Sequence, residues 1–193
     1  MEMTRFCPEV WKEEPVPEEL QDCEICGLYR HGTRMVWGEG NPEARIIVIL
    51  DNPGARESRG GEPFVCGTRQ TLQEAAFDAG FREEDMYLTY ILKRRPVRAY
   101  DKPKTRELCM RHLYQQLKVK QPVLILCLGN VSVQSFFGDP EIDVKSLRGE
   151  RYQVRGFPTV VSYHPLAVRR RPNLRKLFMA DWFYLYRVYN EYI

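Results

Sequence analysis

Asp51, Asn52 and His164 are the residues best suited by type and context to acid–base chemistry in this 193-residue chain. Asp51-Asn52-Pro53-Gly54 follows the apolar run Arg45–Leu50, so a carboxylate and an amide stand at a strand terminus where Gly54 lets the backbone turn tightly. The carboxylate can orient or activate a water, and the amide can hold that water or the edge of a planar ring. The same tetrapeptide can equally close the strand as an Asx-turn, with no chemistry. His164 is one of three histidines, and Pro165 after it disfavours helix and keeps it extended. An imidazole there can donate a hydrogen bond to an oxygen gaining negative charge, or be a satisfied half-buried side chain. Phe64, in Gly61-Glu62-Pro63-Phe64-Val65, can stack on a planar ligand or pin its loop to the core.

Cys23-Glu24-Ile25-Cys26 has metal-ligand spacing, and Cys109 is the best third sulfur. Cys127 alternates with leucines and reads as a buried small hydrophobe. Net charge is +3, but residues 1–24 hold eight acids against two bases, leaving +9 on the remainder. That excess concentrates in two segments, one around Lys93, Arg94, Arg95 and Arg98, the other in Arg169-Arg170-Arg171 with Arg175 and Lys176. Two such clusters fit a phosphate-backbone footprint, or two solvated loops.

Residues of 44% hydrophobic and 28% charged character exclude a disordered or fibrous chain. No apolar run nears the ~20 residues of a membrane helix, and the acidic start does not suit a signal peptide. The cytoplasm is the expected compartment, with the cysteines unpaired.

Positioning these residues falls to alternating strands and helices. Strands are predicted at Arg45–Leu50, Met86–Lys93, Pro122–Leu128 and Pro158–Tyr163. Helices are predicted at Thr68–Ala79, Lys104–Lys118, a short run after Gly129 through Phe137, and Leu174–Tyr192. Residues 1–22 read as an acidic, irregular lead-in to a single domain over 23–193. The pattern predicts an α/β fold in three α/β/α layers around a four-stranded, mostly parallel sheet. In that architecture ligands sit beyond the carboxyl ends of the strands. Asp51-Asn52 opening a loop of roughly 17 residues, the Lys93–Arg98 segment, and His164 with the arginine run all fall at that edge.

Taken in order, several short motifs make the chain resemble the uracil-DNA glycosylase superfamily, nearest its iron–sulfur family 4 branch. They are C-x-x-C-x-L at Cys23–Leu28, Val36-Trp37-Gly38-Glu39-Gly40-Asn41-Pro42, Asn52-Pro53-Gly54, Gly61-x-Pro63-Phe64-Val65, Lys93-x-Arg95-Pro96, Leu128-Gly129 and His164-Pro165. The resemblance spans Cys23 to about Arg171. It implies an enzyme of base excision repair that flips a deaminated base, uracil by default, out of DNA and hydrolyses its N-glycosidic bond. By position, Asp51 takes the place of the water-activating acid, Asn52 that of a catalytic Asp or Asn in other branches, and His164 that of the group stabilising the departing base. Phe64 would stack on the flipped base, with Gly54, Tyr90 and Cys66 around it. Lys93, Arg95, Arg98, Arg169, Arg170 and Arg171 would face the DNA backbone. A four-iron cluster would use Cys23, Cys26 and Cys109 as ligands. DNA is the implied partner of a monomer.

The chain also departs from the family pattern. Asp51 is one methylene shorter than the usual glutamate. Tyr90 stands where family 4 has the asparagine that reads uracil, Cys66 replaces a glycine, and Arg94 replaces a cluster cysteine. A glycosylase fold that holds DNA without cutting it is therefore the alternative reading, followed by a redox or small-molecule protein using the C-x-x-C pair.

Overall fold

The computed structural model describes residues 6–59 and 65–193, so Phe64 lies outside the described residues. Four predicted strands are present: β3 (Ile46–Leu50), β4 (Met86–Tyr90), β5 (Leu124–Leu128) and β7 (Phe157–Ser162). β3 pairs in parallel with β4 on one side and β5 on the other, and β5 pairs in parallel with β7. Every residue of β3, β4 and β5 is buried, as strands covered on both faces must be. Alternation divides β3 between two cores: Ile46, Val48 and Leu50 face one hydrophobic cluster, Ile47 and Ile49 the other.

Helices cover each face. The first cluster is completed by α2 (Gly67–Ala79), α6 (Pro165–Arg170) and α7 (Arg175–Tyr189), through Leu72, Val168, Phe178 and Trp182. The second is completed by α3 (Lys102–Lys120), α4 (Asn130–Phe137) and α5 (Val144–Leu147), through Leu113, Leu117, Phe136 and Val144. The three-layer α/β/α expectation holds. Asp101 caps α3 by accepting the Lys104 N–H at 3.2 Å, with Pro103 in the first turn, which starts the helix two residues before the predicted point.

The sheet is wider than predicted. Edge strands β1 (Glu13–Glu14), β2 (Gly38–Gly40) and β6 (Arg151–Val154) add to it, all pairing antiparallel. The result is seven strands in the order β1-β2-β4-β3-β5-β7-β6. β1 falls within the predicted lead-in, and Trp11 beside it is buried in the first cluster. The β6–β7 hairpin turns at Arg155-Gly156, both with positive φ (53° and 87°), as a two-residue turn with the twist of its strands requires. The loop after β3 is also not structureless: it opens with a short helix, α1 (Ala55–Arg59).

Trp182 is fully buried where α7 crosses the sheet, and its ring meets Phe81 and Phe178 edge-on. Trp182→Ala is expected to cost ~3–5 kcal/mol, a fall in melting temperature on the order of 10 °C for a chain of this size. A thermal unfolding scan showing under ~1 kcal/mol of loss would mean that α7 is not clamped to the sheet by this residue.

Candidate active site

Strand register brings the acid and the imidazole together. Cys127 of β5 pairs with Ile49 on one side and with Val161 on the other. Asp51 and His164, two and three residues further along their chains, therefore leave the sheet side by side. Asp51 Oδ1 lies 3.4 Å from His164 Nε2. The backbone of Asp51 is held as well, because its carbonyl accepts the Leu92 N–H at 2.9 Å as the chain leaves β4.

His164 is fixed by its place at the N-cap of α6. Its Nδ1 accepts the N–H of Leu166 at 3.1 Å, and Pro165 occupies the first turn. An accepting Nδ1 assigns the hydrogen of a neutral ring to Nε2, the nitrogen facing Asp51. Room for the ring comes from Gly129 after β5, whose φ of +90° suits glycine and where a Cβ would stand 2.9 Å from His164 Cβ.

Burial pushes the Asp51 carboxyl up, but the hydrogen bond and charge of His164 outweigh it, helped by the Asn52 N–H at 2.9 Å. The net result is a carboxyl held below its ordinary range, ionised at neutral pH. The Asn52 amide donates to the Pro53 carbonyl at 2.9 Å. The turn reading of this tetrapeptide is realised, since Asp51 accepts a turn hydrogen bond, and its side chain also lines a cleft.

That cleft measures about 430 Å³, and Asp51, Asn52, Gly54, Cys66, Arg95 and His164 all line it. A larger hollow of about 560 Å³ lies elsewhere, between Trp11, Phe77 and Phe81, with no comparable convergence of an acid and an imidazole. Cys66, the residue before α2, points its thiol towards Glu57 at 3.9 Å.

One side of the cleft is a buried ionic network that the sequence reading missed. Arg69, 4% exposed, bonds the Glu39 carboxylate through Nε and lies 3.7 Å from Glu57. Arg56 reaches Glu57 at 3.0 Å and Glu39 at 3.3 Å. Two carboxylates and two guanidiniums balance in charge, as a set buried this deeply must. Burial opposes the Arg69 charge, but Glu39 first, then Tyr90 and Glu57, raise its pKa above the ordinary value. Burial likewise pushes Glu57 up, and Arg69 more than reverses it. The one sequence signal was Glu39 itself, an acid inside the apolar Val36–Gly40 stretch.

Two expected site residues are displaced by this interior. Tyr90 does not line the cleft: it is 1% exposed and its hydroxyl accepts from Arg69 Nη2. Burial keeps that phenol protonated by raising its pKa well above the ordinary value. Lys93 cannot face DNA, because it is fully buried, with Nζ donating to Thr89 Oγ1 and Gln116 Oε1 at 2.5 Å and to the Trp37 carbonyl at 3.4 Å. Desolvation lowers its pKa to about 7. Ile91, Leu92 and Lys93 are all buried where the chain bends after β4, so the first residue of the basic run belongs to the interior. Arg95 lines the cleft, while Arg98, Arg169, Arg170 and Arg171 are exposed. Arg169 also donates to the Gly67 carbonyl at 3.3 Å at the start of α2.

The cysteines gather but do not form a four-ligand set. Cys23 Sγ lies 3.2 Å from Nε2 of His112, a residue the sequence reading did not single out. Cys26 shares a hydrogen bond with Cys109, which pulls the Cys26 thiol down to about 6, while the same contact raises Cys109. Cys109 Sγ accepts the Lys93 N–H at 3.2 Å. Among the described residues no three Cys, His, Asp or Glu side chains converge as metal ligands. The residues present therefore do not fit a four-iron cluster.

The carboxyl edge of a mostly parallel α/β/α sheet thus carries an ionised carboxylate, an imidazole and exposed arginines. The profile of the Uracil DNA glycosylase superfamily matches residues 37–185, and the chain belongs to that superfamily. It is 33% identical to a Type-4 uracil-DNA glycosylase of Archaeoglobus fulgidus over 175 residues, covering 86% of this chain and 88% of that protein. The Type-4 uracil-DNA glycosylase of Thermotoga maritima is 30% identical over 172 residues, 87% of this chain and 90% of the relative. That of Pyrobaculum aerophilum is 31% identical over 173 residues, with 85% and 88% covered. Among the described residues no helix is long and apolar enough to cross a membrane.

The Asp51–His164 pair has a pH signature. A carboxyl with a depressed folded-state pKa adds stability above its unfolded value of ~3.9, and that stability is lost as pH falls through the folded value. Carbon-13 NMR should therefore show Asp51 titrating below the ordinary aspartate range. In His164→Ala the titration should move upward. An unmoved titration in that variant would remove His164 as the cause.

Proposed function

We propose that this chain is a DNA glycosylase that hydrolyses the N-glycosidic bond of a flipped deaminated base, with uracil the default. The single observation that carries the reading is the ionised Asp51 carboxylate 3.4 Å from His164 Nε2 at the cleft. The family relation and the names of the relatives support it.

Hydrolysis here breaks the C1′–N bond, its electron pair leaving with the base, and forms a C1′–O bond from water. Asp51 orients that water and takes its proton, and its negative charge also favours the oxocarbenium-like sugar that develops between. His164 Nε2–H donates to the base oxygen on which negative charge grows. Asn52 holds the water or an edge of the base. The family resemblance assigns Phe64 to stack on the ring, and Gly54 and Cys66 line the approach. Tyr90 contributes from behind, through Arg69, and not by contact with the base.

Arg95 at the cleft, with Arg98, Arg169, Arg170 and Arg171 on the rim, binds phosphates of single- or double-stranded DNA. On this reading the active species is a monomer working in the cytoplasm. A DNA-binding fold without catalysis is the rival reading, motivated by Tyr90 and Cys66.

Single-turnover release of uracil from a labelled oligonucleotide separates them. Asp51→Asn is expected to slow release by ~10²–10⁴-fold and His164→Ala by ~10²–10³-fold, with DNA affinity nearly unchanged. Wild-type rates in both variants would remove the proposed roles. Alanine at Arg169, Arg170 and Arg171 together should lower affinity uniformly and flatten its salt dependence, by about 0.9 in log–log slope for each duplex phosphate that is no longer neutralised. An unchanged slope would place the DNA elsewhere.

A further inference from the structure

Direct hydrogen bonds fasten the segment bearing Cys23 and Cys26. Arg94 Nη1 donates to the Thr33 carbonyl at 2.6 Å, and Nη2 donates to the Gln21 carbonyl at 3.2 Å. One guanidinium thus grips both ends of the 21–33 segment. Two further hydrogen bonds join the same two stretches of chain: Thr33 Oγ1 donates to the Arg95 carbonyl at 2.9 Å, and the Val97 N–H donates to His31 Nδ1 at 3.1 Å. Met35 adds an antiparallel bridge to Arg94 itself.

The sulfurs inside this clamp have protein partners. Cys23 meets His112, Cys109 accepts the Lys93 N–H, and Cys26 packs against the hydrophobic cluster that contains Cys109. A guanidinium cannot serve as a ligand, since it has five donors, no acceptor and a permanent charge. That charge also repels the iron cations that a thiolate cage would gather. In the family pattern the residue at this position is a cysteine that would help tie the two segments through a shared cluster. Here the same two segments are tied directly.

We propose that Arg94 replaces the iron–sulfur cluster of the family pattern, fastening the 21–33 segment to the 94–97 segment so that the chain folds without iron. His112 is the partner that occupies Cys23 in the metal-free arrangement, not a fourth ligand.

The test uses the full chain, prepared without oxygen and incubated with ferrous iron and sulfide. Bound iron, acid-labile sulfide, visible absorbance and thermal unfolding are then measured. Wild type is expected to stay colourless and free of bound iron after desalting, with an unchanged melting temperature. Arg94→Ala should melt on the order of 5 °C lower, since two charge-assisted hydrogen bonds are removed. Arg94→Cys should acquire iron, sulfide and the visible absorbance of a cluster. Stoichiometric iron in wild type, absent again in Cys23→Ala, would overturn the proposal. So would an Arg94→Ala chain that melts with wild type, or an Arg94→Cys chain that folds yet takes up no iron.

Discussion

The parallel register of β3, β5 and β7 is the constraint on which the site depends. Parallel pairing sends every strand's carboxyl end to the same edge, and β5 acts as the ruler between its two neighbours. A one-residue slip of β7 would turn its buried Val161 outward from its cluster and carry His164 away from Asp51. The fully buried faces of β3 and β5 make such a slip costly, so the hydrophobic core and the chemical pair are specified by the same pairing. Chemistry at this edge therefore inherits its precision from apolar residues that never touch a ligand.

A second requirement is the charge balance beneath the cleft. Glu39, Glu57, Arg56 and Arg69 sit in a largely dry environment where removing any one partner leaves an uncompensated charge, a loss of ~3–5 kcal/mol in comparable buried pairs. Arg69 also satisfies the Tyr90 hydroxyl, which lets a phenol sit in this interior. The phenol is absorbed into the interior instead of projecting into the cleft. The groups that do line the cleft include Asn52, Arg56 and Arg95.

Legibility in the sequence followed burial. β3 and β5 were readable because strands covered on both faces are continuous apolar runs, and α2 and α3 because their apolar stripes end at Gly80 and begin after a proline. The edge strands were not readable. β1 has two residues, β2 carries two glycines in three, and β6 buries only one of its four, so none has a strong hydrophobic signal. In the site, Asp51 and His164 announced themselves by ending strands in turn-forming motifs. The Glu39–Arg69 pairing spans 30 residues of sequence, and no local pattern encodes which acid meets which base. Lys93 misled for the same reason: its charge is visible in sequence, while the Thr89, Gln116 and Trp37 oxygens that bury it are not.

Whether the Asp51–His164 edge cuts the bond between base and sugar is tested most directly by base release. The full chain, in excess, is given matched oligonucleotides carrying one uracil, hypoxanthine or xanthine, single- and double-stranded, with alkali revealing abasic sites. Alkali-labile cleavage at the uracil position, absent from the undamaged control, is the predicted result. Intact strands from all substrates, with a chain that still binds the DNA, would contradict it.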